Sequence, residues 1–256
     1  MVNIQKAAVI GCGFVGSTIA YTLMQKGLFS EMVLLDANKA KAEGEAMDIS
    51  HGLPFTHAMD IYAGEYEDIA DASVVIITAG ANQKPGETRL DLVQKNAAIM
   101  RSIIKEIKRV NCEGILLIVS NPVDILTEVA LRESGFPKER VIGSGTVLDT
   151  ARLKYIISEK LDVDSRNVHA FIVGEHGDSE LAAWSCANIY GIKLQDFAKM
   201  RGYEHFAQDM EEVYKGVRDS AYEIIERKGA TYYGIGMAAE KIVEAIAVSY
   251  THLRAH

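Results

Sequence analysis

Gly11-Cys12-Gly13-Phe14-Val15-Gly16 decides how the first half of this chain folds. The run Ala7–Ile10 before it is apolar and reads as a strand. Val15, Ile19 and Leu23 after it repeat at helical spacing. A glycine loop between a strand and a helix is the signature of a βαβ unit that binds a dinucleotide. The first glycine permits the tight turn. The second lets backbone approach a pyrophosphate, and the third lets helix and strand pack closely. The helix N-terminus adds free N–H groups and a partial positive charge. Asp36 ends the second predicted strand, twenty residues past Gly16. A carboxylate there accepts hydrogen bonds from both ribose hydroxyls and repels a 2′-phosphate. The expected cofactor is therefore NAD rather than NADP.

Three further runs, Met32–Leu35, Val74–Thr78 and Ile115–Val119, are rich in Val, Ile and Leu with little polar alternation. Strands covered on both faces read this way. Helical patterns separate them. The expected class is α/β, a Rossmann doubly wound parallel sheet over residues 1–144. The pattern changes near Gly143–Gly145. A helix is predicted over Val147–Glu159, strand-like runs near Val168–Val173, and long helices over Gln208–Glu226 and Tyr232–Ile246. Residues 145–256 are expected to form an α+β substrate domain. The last ten residues, AVSYTHLRAH (247–256), continue with neither a strand nor a cap, so that domain is expected to be incomplete at its C-terminus.

Composition narrows the partners. The 35 acidic residues outnumber the 27 basic ones, for a net charge of −8, which excludes a basic stripe for nucleic acid. No apolar run reaches the roughly 20 residues of a membrane span. Cys12, Cys112 and Cys186 have no metal-ligand spacing, so no metal is expected. Their odd number and wide spread predict reduced thiols in the cytoplasm. The N-terminus also lacks the pattern of a signal peptide.

Gly174-Glu175-His176-Gly177-Asp178-Ser179 places a histidine between glycines after an apolar run. Histidine suits proton transfer near neutral pH. Asp149 and Arg152 lie three apart on a predicted helix and face the same way. The carboxylate can orient His176 and stabilise its charged form. Arg152 can hold a substrate carboxylate in a two-pronged pair. An ordinary surface ion pair between the two is the simpler alternative. Ala79–Asp91 (AGANQKPGETRLD) is polar, follows a strand, and has the composition of a segment that closes over a substrate, carrying Arg89 toward a carbonyl oxygen. A solvated loop would have the same composition. In Ser120-Asn121-Pro122-Val123-Asp124, Asn121 can hydrogen-bond a substrate oxygen and Pro122 starts the next helix.

Together, GCGFVG, AGANQKPGETRLDL, VSNPVD, GSGTVLDTARLK, GEHGDSE and KGATYYGIG resemble the lactate/malate dehydrogenase family, over about Ala7 to Ile246. The resemblance implies NAD-dependent hydride transfer between a 2-keto acid and a 2-hydroxy acid. It implies His176 as acid/base, Asp149 as its partner, Arg152 as the carboxylate anchor and Arg89 as the lid arginine. Gln83, Asn121, Asp124 and Thr231 match substrate-pocket positions. Gly11, Gly13, Val15, Gly16, Asp36, Lys41 and Tyr66 match cofactor positions, as do Gly80, Ala81, Ser102, Val119, Asn121 and Ser144. Malate enzymes of the family carry Arg where this chain has Gln83. A dicarboxylate would leave a buried charge without a partner there, so pyruvate and L-lactate are the expected substrates. Lys154 and His169 match a site for fructose 1,6-bisphosphate, with Lys standing where Arg is usual. A homotetramer is the family's assembly. Two alternatives stay open: a relative acting on another 2-keto acid, and a fragment that binds NAD without turnover.

Overall fold

The computed structural model describes residues 2–81, 86 and 88–254, with only the backbone of Arg89 and of residues 249–254. Gln83 lies outside the described residues. The chain divides into two compact units, Met1–Ser144 together with Tyr232–His256, and Gly145–Thr231.

The first unit runs β1 (Asn3–Ile10), α1 (Phe14–Lys26), β2 (Glu31–Leu35), α2 (Lys39–Ser50), β3 (Asp60–Ala63), β4 (Ala72–Ile77), α3 (Arg89–Arg109), β5 (Ile115–Ile118), α4 (Val123–Ser134) and β6 (Val141–Gly143). Its six strands are all parallel, in the order β3-β2-β1-β4-β5-β6. This order reverses direction between β1 and β4, the switch point where such sheets bind ligands beyond the carboxyl ends of their strands. Alternation along each strand builds two cores. Ala7 and Val9 of β1 join α1 and α2 on one face, whereas Ala8 and Ile10 join α3 and α4 on the other. All six residues of β4 are buried, as expected for a central parallel strand. Fully burying each such aliphatic side chain contributes about 1.5–3 kcal/mol.

The second unit runs α5 (Val147–Leu161), β7 (Val168–His169), β8 (Ile172–Val173), β9 (Leu181–Ala182), β10 (Asn188–Ile189), β11 (Ile192–Lys193), α6 (Leu194–Met200) and α7 (Phe206–Lys228). Strands β7, β10 and β11 form one small antiparallel sheet and β8–β9 a hairpin. Leu153, Ile157 and Leu161 of α5 bury against Val213 and Val217 of α7.

By its contacts α8 (Tyr233–Arg254) groups with the first unit, although it follows the second in the chain. Its apolar stripe, Ala239, Val243 and Ile246, buries against the core shared with Ile19 and Leu23 of α1. The AVSYTHLRAH segment also does not break the helical pattern at its start, since α8 continues to Arg254. No helix among the described residues is long and apolar enough to cross a membrane.

Candidate active site

The glycine loop joins β1 to α1. Gly11 has φ +101°, and a Cβ there would lie 2.6 Å from Ala79 N. At Gly16 a Cβ would lie 1.8 Å from Gly11 O, so only glycine lets α1 sit this close. At Gly13 a Cβ would meet nothing within 4 Å, which leaves an open cradle against the start of the helix. Gly13 caps α1 with no side-chain bond to the first turn, and Val15 stands in that turn. The arrangement suits a pyrophosphate. Asp36 follows directly on β2. Its Oδ2 accepts from Cys12 N–H at 2.7 Å and its Oδ1 from Asn38 N–H at 2.8 Å. Burial and the Asp36 charge push the Cys12 thiol up to about 12, so it stays a thiol. The residues present therefore fit a dinucleotide.

The loops leaving β4 and β5 are tied by Asn96 of α3, which is 4% exposed. Its Oδ1 accepts from Ala81 N–H at 2.8 Å, and its Nδ2 donates to Asn121 O at 2.9 Å. Ser120 Oγ donates to Ala79 O at 2.7 Å. Val119 N–H donates to Ile77 O at 2.9 Å, and Ser144 N–H to Ile118 O at 2.9 Å. Gly80 and Asn121 are exposed at these strand ends, and Asp124 lies in the first turn of α4. Sequence reasoning passed over Asn96 because an amide inside a helical pattern carries no local signal.

The other expected cofactor positions are more scattered. Lys41 is exposed in the first turn of α2. Tyr66 is half-buried and packs against the α3 side of the core. Ser102 is exposed on α3, where its hydroxyl donates to Ile99 O at 2.7 Å. Arg89 differs from its expected place in a loop: it is the first residue of α3. The Thr88–Asp91 capping box starts the helix there, with Asp91 N–H donating to Thr88 Oγ1 at 3.1 Å and Thr88 N–H to Asp91 Oδ2 at 3.1 Å.

In the second unit, His176 lies on the loop that joins β8 to β9. Helix α5 holds this hairpin directly: Thr146 Oγ1 donates to Ile172 O at 2.8 Å, and Ile172 N–H donates to Thr150 Oγ1 at 3.0 Å. Asp149, between those threonines in the chain, is 2% exposed. His176 Nδ1 lies 2.6 Å from Asp149 Oδ2, and Arg152 Nη1 donates to Asp149 Oδ1 at 2.9 Å. A carboxylate only accepts, so Nδ1 carries the hydrogen of this bond. The hydrogen bond to Asp149 raises the imidazole pKa above its ordinary value against the opposing effect of burial. The pair is desolvated, unlike a surface ion pair. Removing one partner from such a pair costs about 3–5 kcal/mol.

Glu180 completes the cluster. It is 3% exposed, and donor atoms of Asp149, His176 and Glu180 all lie within 4.8 Å of one another. Burial and the Asp149 charge push its carboxyl up to about 7. Sequence reasoning quoted Glu180 within GEHGDSE but gave it no role. Thr231 is half-buried in the segment after α7. On the same unit, Lys154 is half-buried on α5 and His169 is exposed at the end of β7.

Residues 5–143 match the family model for the lactate/malate dehydrogenase NAD-binding domain. Residues 146–253 match the model for the α/β C-terminal domain of the same enzymes. The chain is 56% identical over 243 residues to an L-lactate dehydrogenase of Acetivibrio thermocellus, covering 95% of this chain and 77% of that protein. It is 55% identical over 242 residues to one of Priestia megaterium, covering 94% and 76%. Among solved structures, a lactate dehydrogenase from a Medee basin deep-sea metagenome library superposes with a TM-score of 0.91 at 54% identity. The minor L-lactate dehydrogenase of Enterococcus mundtii superposes with a TM-score of 0.91 at 48% identity. In both cases the match covers 95% of this chain and 77% of the other.

Proposed function

The chain belongs to the lactate/malate dehydrogenase family, and from that premise we propose that it interconverts pyruvate and L-lactate with NAD(H). The observation that carries this reading is the pairing of half-buried His176 with buried Asp149, with Arg152 on the second carboxylate oxygen. It is an acid/base group beside an anion anchor, which reduction of a keto acid requires.

In the reducing direction, protonated His176 donates its Nε2 proton to the keto oxygen. Asp149 keeps the ring oriented through Nδ1 and stabilises the imidazolium. Arg152 pairs with the substrate carboxylate. Arg89 stabilises charge on the reacting oxygen. Asn121, Asp124, Thr231 and Gln83 shape the substrate pocket. Gly11, Gly13, Val15 and Gly16 hold the pyrophosphate and Asp36 the adenosine ribose. Lys41, Tyr66, Gly80, Ala81, Ser102, Val119 and Ser144 complete the cofactor contacts. When bound, NADH supplies the hydride that reaches the carbonyl carbon, and a 2-hydroxy acid results.

The test is loss of NADH absorbance with pyruvate, beside an NADH-binding titration. Turnover that disappears in His176→Asn while NADH binding persists is the expected result. Binding without turnover by the unaltered chain would sink the reading. Lys154 and His169 offer two cationic-type side chains to a phosphate, so fructose 1,6-bisphosphate is the proposed effector. Its addition at subsaturating pyruvate should raise the rate, and Lys154→Ala should abolish the response. The proposed assembly is a homotetramer, measurable by light scattering. Three free cysteines fit a reducing compartment, the cytoplasm.

A further inference from the structure

Two acids, not one, attend the imidazole of His176. Asp149 has both oxygens engaged, one by His176 Nδ1 and the other by Arg152 Nη1. Glu180 brings a carboxyl oxygen within 4.8 Å of the nearest polar atoms of both Asp149 and His176. Two buried carboxylates this close favour a proton on one of them, because like charges in a desolvated site repel strongly. The position is held by backbone as well. Glu180 N–H donates to Gly177 O at 3.1 Å, closing the loop that carries His176. Its carbonyl accepts from Tyr214 Oη on α7. The carboxyl group is thus placed by its own main chain on both sides.

We propose that Glu180 is a positioning residue of the acid/base site, a second carboxyl group that shares its proton with Asp149 and couples its own ionisation to the protonation of His176. This rests on the reading of His176 as the acid/base. Two states then have the same total charge. In one, Glu180 is neutral and donates to Asp149, and His176 is neutral. In the other, Glu180 is ionised and His176 is a cation. Each ionised carboxylate favours the imidazolium, so the loss of one proton holds the other in place. Arg152 on α5 opposes the imidazolium of His176, and on α7 Tyr214, which feels the charge of Glu180, also feels Arg218 and Glu211. Burial raises the Tyr214 phenol, so it stays neutral across the working range.

Glu180→Gln separates this role from a merely structural one. The amide can still donate to Asp149 and mimics the neutral acid, but it cannot ionise. Near pH 6, where Glu180 is mostly neutral, kcat/KM for pyruvate should stay within about twofold of the unaltered chain. Near pH 8 it should fall about three- to tenfold, because the imidazolium has lost the charge that favoured it. Glu180→Asp should restore part of the alkaline activity. Equal losses at both pH values, or no loss at either, would overturn the proposal. A proton NMR titration of the His176 ring gives a readout without turnover. Its midpoint should fall in Glu180→Gln, and an unmoved midpoint would also overturn the proposal. Failure of the unaltered chain to reduce pyruvate would instead count against the proposed reaction, and the ring titration would still report the coupling.

Discussion

The backbone N–H of Cys12 donates to Asp36 Oδ2 at 2.7 Å, so the glycine loop is tied to the end of β2 before any cofactor arrives. Asp36 therefore has two tasks. It holds the loop, and in the proposed function it takes the ribose. Asp36→Ala should weaken NADH binding by tenfold or more and also lower the melting temperature, since one net hydrogen bond contributes about 1 kcal/mol. Asp36→Asn can still accept from Cys12 and should spare most of the stability while losing affinity. A titration of NADH fluorescence beside a thermal melt separates the two tasks. Equal melting temperatures in all three proteins would show that the Cys12 contact does not hold the loop.

Gly13 and Gly16 should fail in different ways. A Cβ at Gly13 meets open space, so Gly13→Ala should fold with nearly unchanged stability and lose NADH affinity. A Cβ at Gly16 lies 1.8 Å from a carbonyl oxygen, so Gly16→Ala must move α1 and should lose both. An overpacked site of this kind costs about 1–3 kcal/mol. Retained NADH affinity in Gly13→Ala would show that the cradle is not where the pyrophosphate lies.

The raised pKa of His176 has a consequence for stability. The folded state holds the proton more tightly than the unfolded chain does. The gain is therefore full below the ordinary imidazole value and fades as pH rises through the raised one. Thermal melts of the unaltered chain and of His176→Asn should differ more near pH 6 than near pH 9. Asp149→Asn should leave NADH binding in place and lower kcat by about 10²- to 10⁴-fold, the range expected when the partner of a catalytic histidine can no longer fix its tautomer. A kcat within threefold of normal would remove Asp149 from the proposed mechanism.

Asn96 spans two loops with one amide. Asn96→Ala leaves Ala81 N–H and Asn121 O without their partner in a buried setting, which costs about 1–3 kcal/mol. The melting temperature should drop by several degrees and KM for pyruvate should rise. Asn96→Asp keeps the acceptor for Ala81 but removes the donor to Asn121, so it should rescue only part. Unchanged melting in Asn96→Ala would mean that water replaces the amide.

Gln83 gives the substrate prediction. A neutral side chain cannot offset the second carboxylate of oxaloacetate, and an arginine can. Gln83→Arg should shift the ratio of kcat/KM values for oxaloacetate over pyruvate upward by at least tenfold. A constant ratio removes Gln83 as the selector.

Much of the first unit was legible because its parallel strands are continuous apolar runs. Ala7–Ile10, Met32–Leu35, Val74–Thr78 and Ile115–Val119 fall on β1, β2, β4 and β5 to within a few residues. The strands β3 and β6 were not legible. The sequence of β3, Asp-Ile-Tyr-Ala, is short and half-exposed at the sheet edge, and β6 has three residues. In the second unit β7 and β8 fall within the predicted run Val168–Val173, whereas β9, β10 and β11, two residues each, are too short for any period to register. The Asp149–Arg152 spacing on one helix was readable, and so was the setting of His176 between glycines after an apolar run. What brings His176 onto Asp149 was not. It depends on Thr146 and Thr150 gripping Ile172, contacts 26 and 22 residues apart in the chain. The place of α8 was hidden for the same reason. A helix pattern gives its apolar face but not the surface that face will meet.

The return of α8 bears on the order in which the molecule is made. Thr22 Oγ1 donates to Gly236 O across 214 residues, and α1 contributes half of that contact very early in synthesis. The chain leaves the first unit after Ser144 and rejoins it at Tyr232. Until the rejoining helix emerges, Ile19 and Leu23 have no Ala239 or Val243 to bury against, and one flank of the nascent sheet stays greasy and open. The nucleotide-binding half starts to emerge long before the helix that closes its core. This is a long-range closure of the kind that slows folding and leaves a growing chain in need of protection from its neighbours.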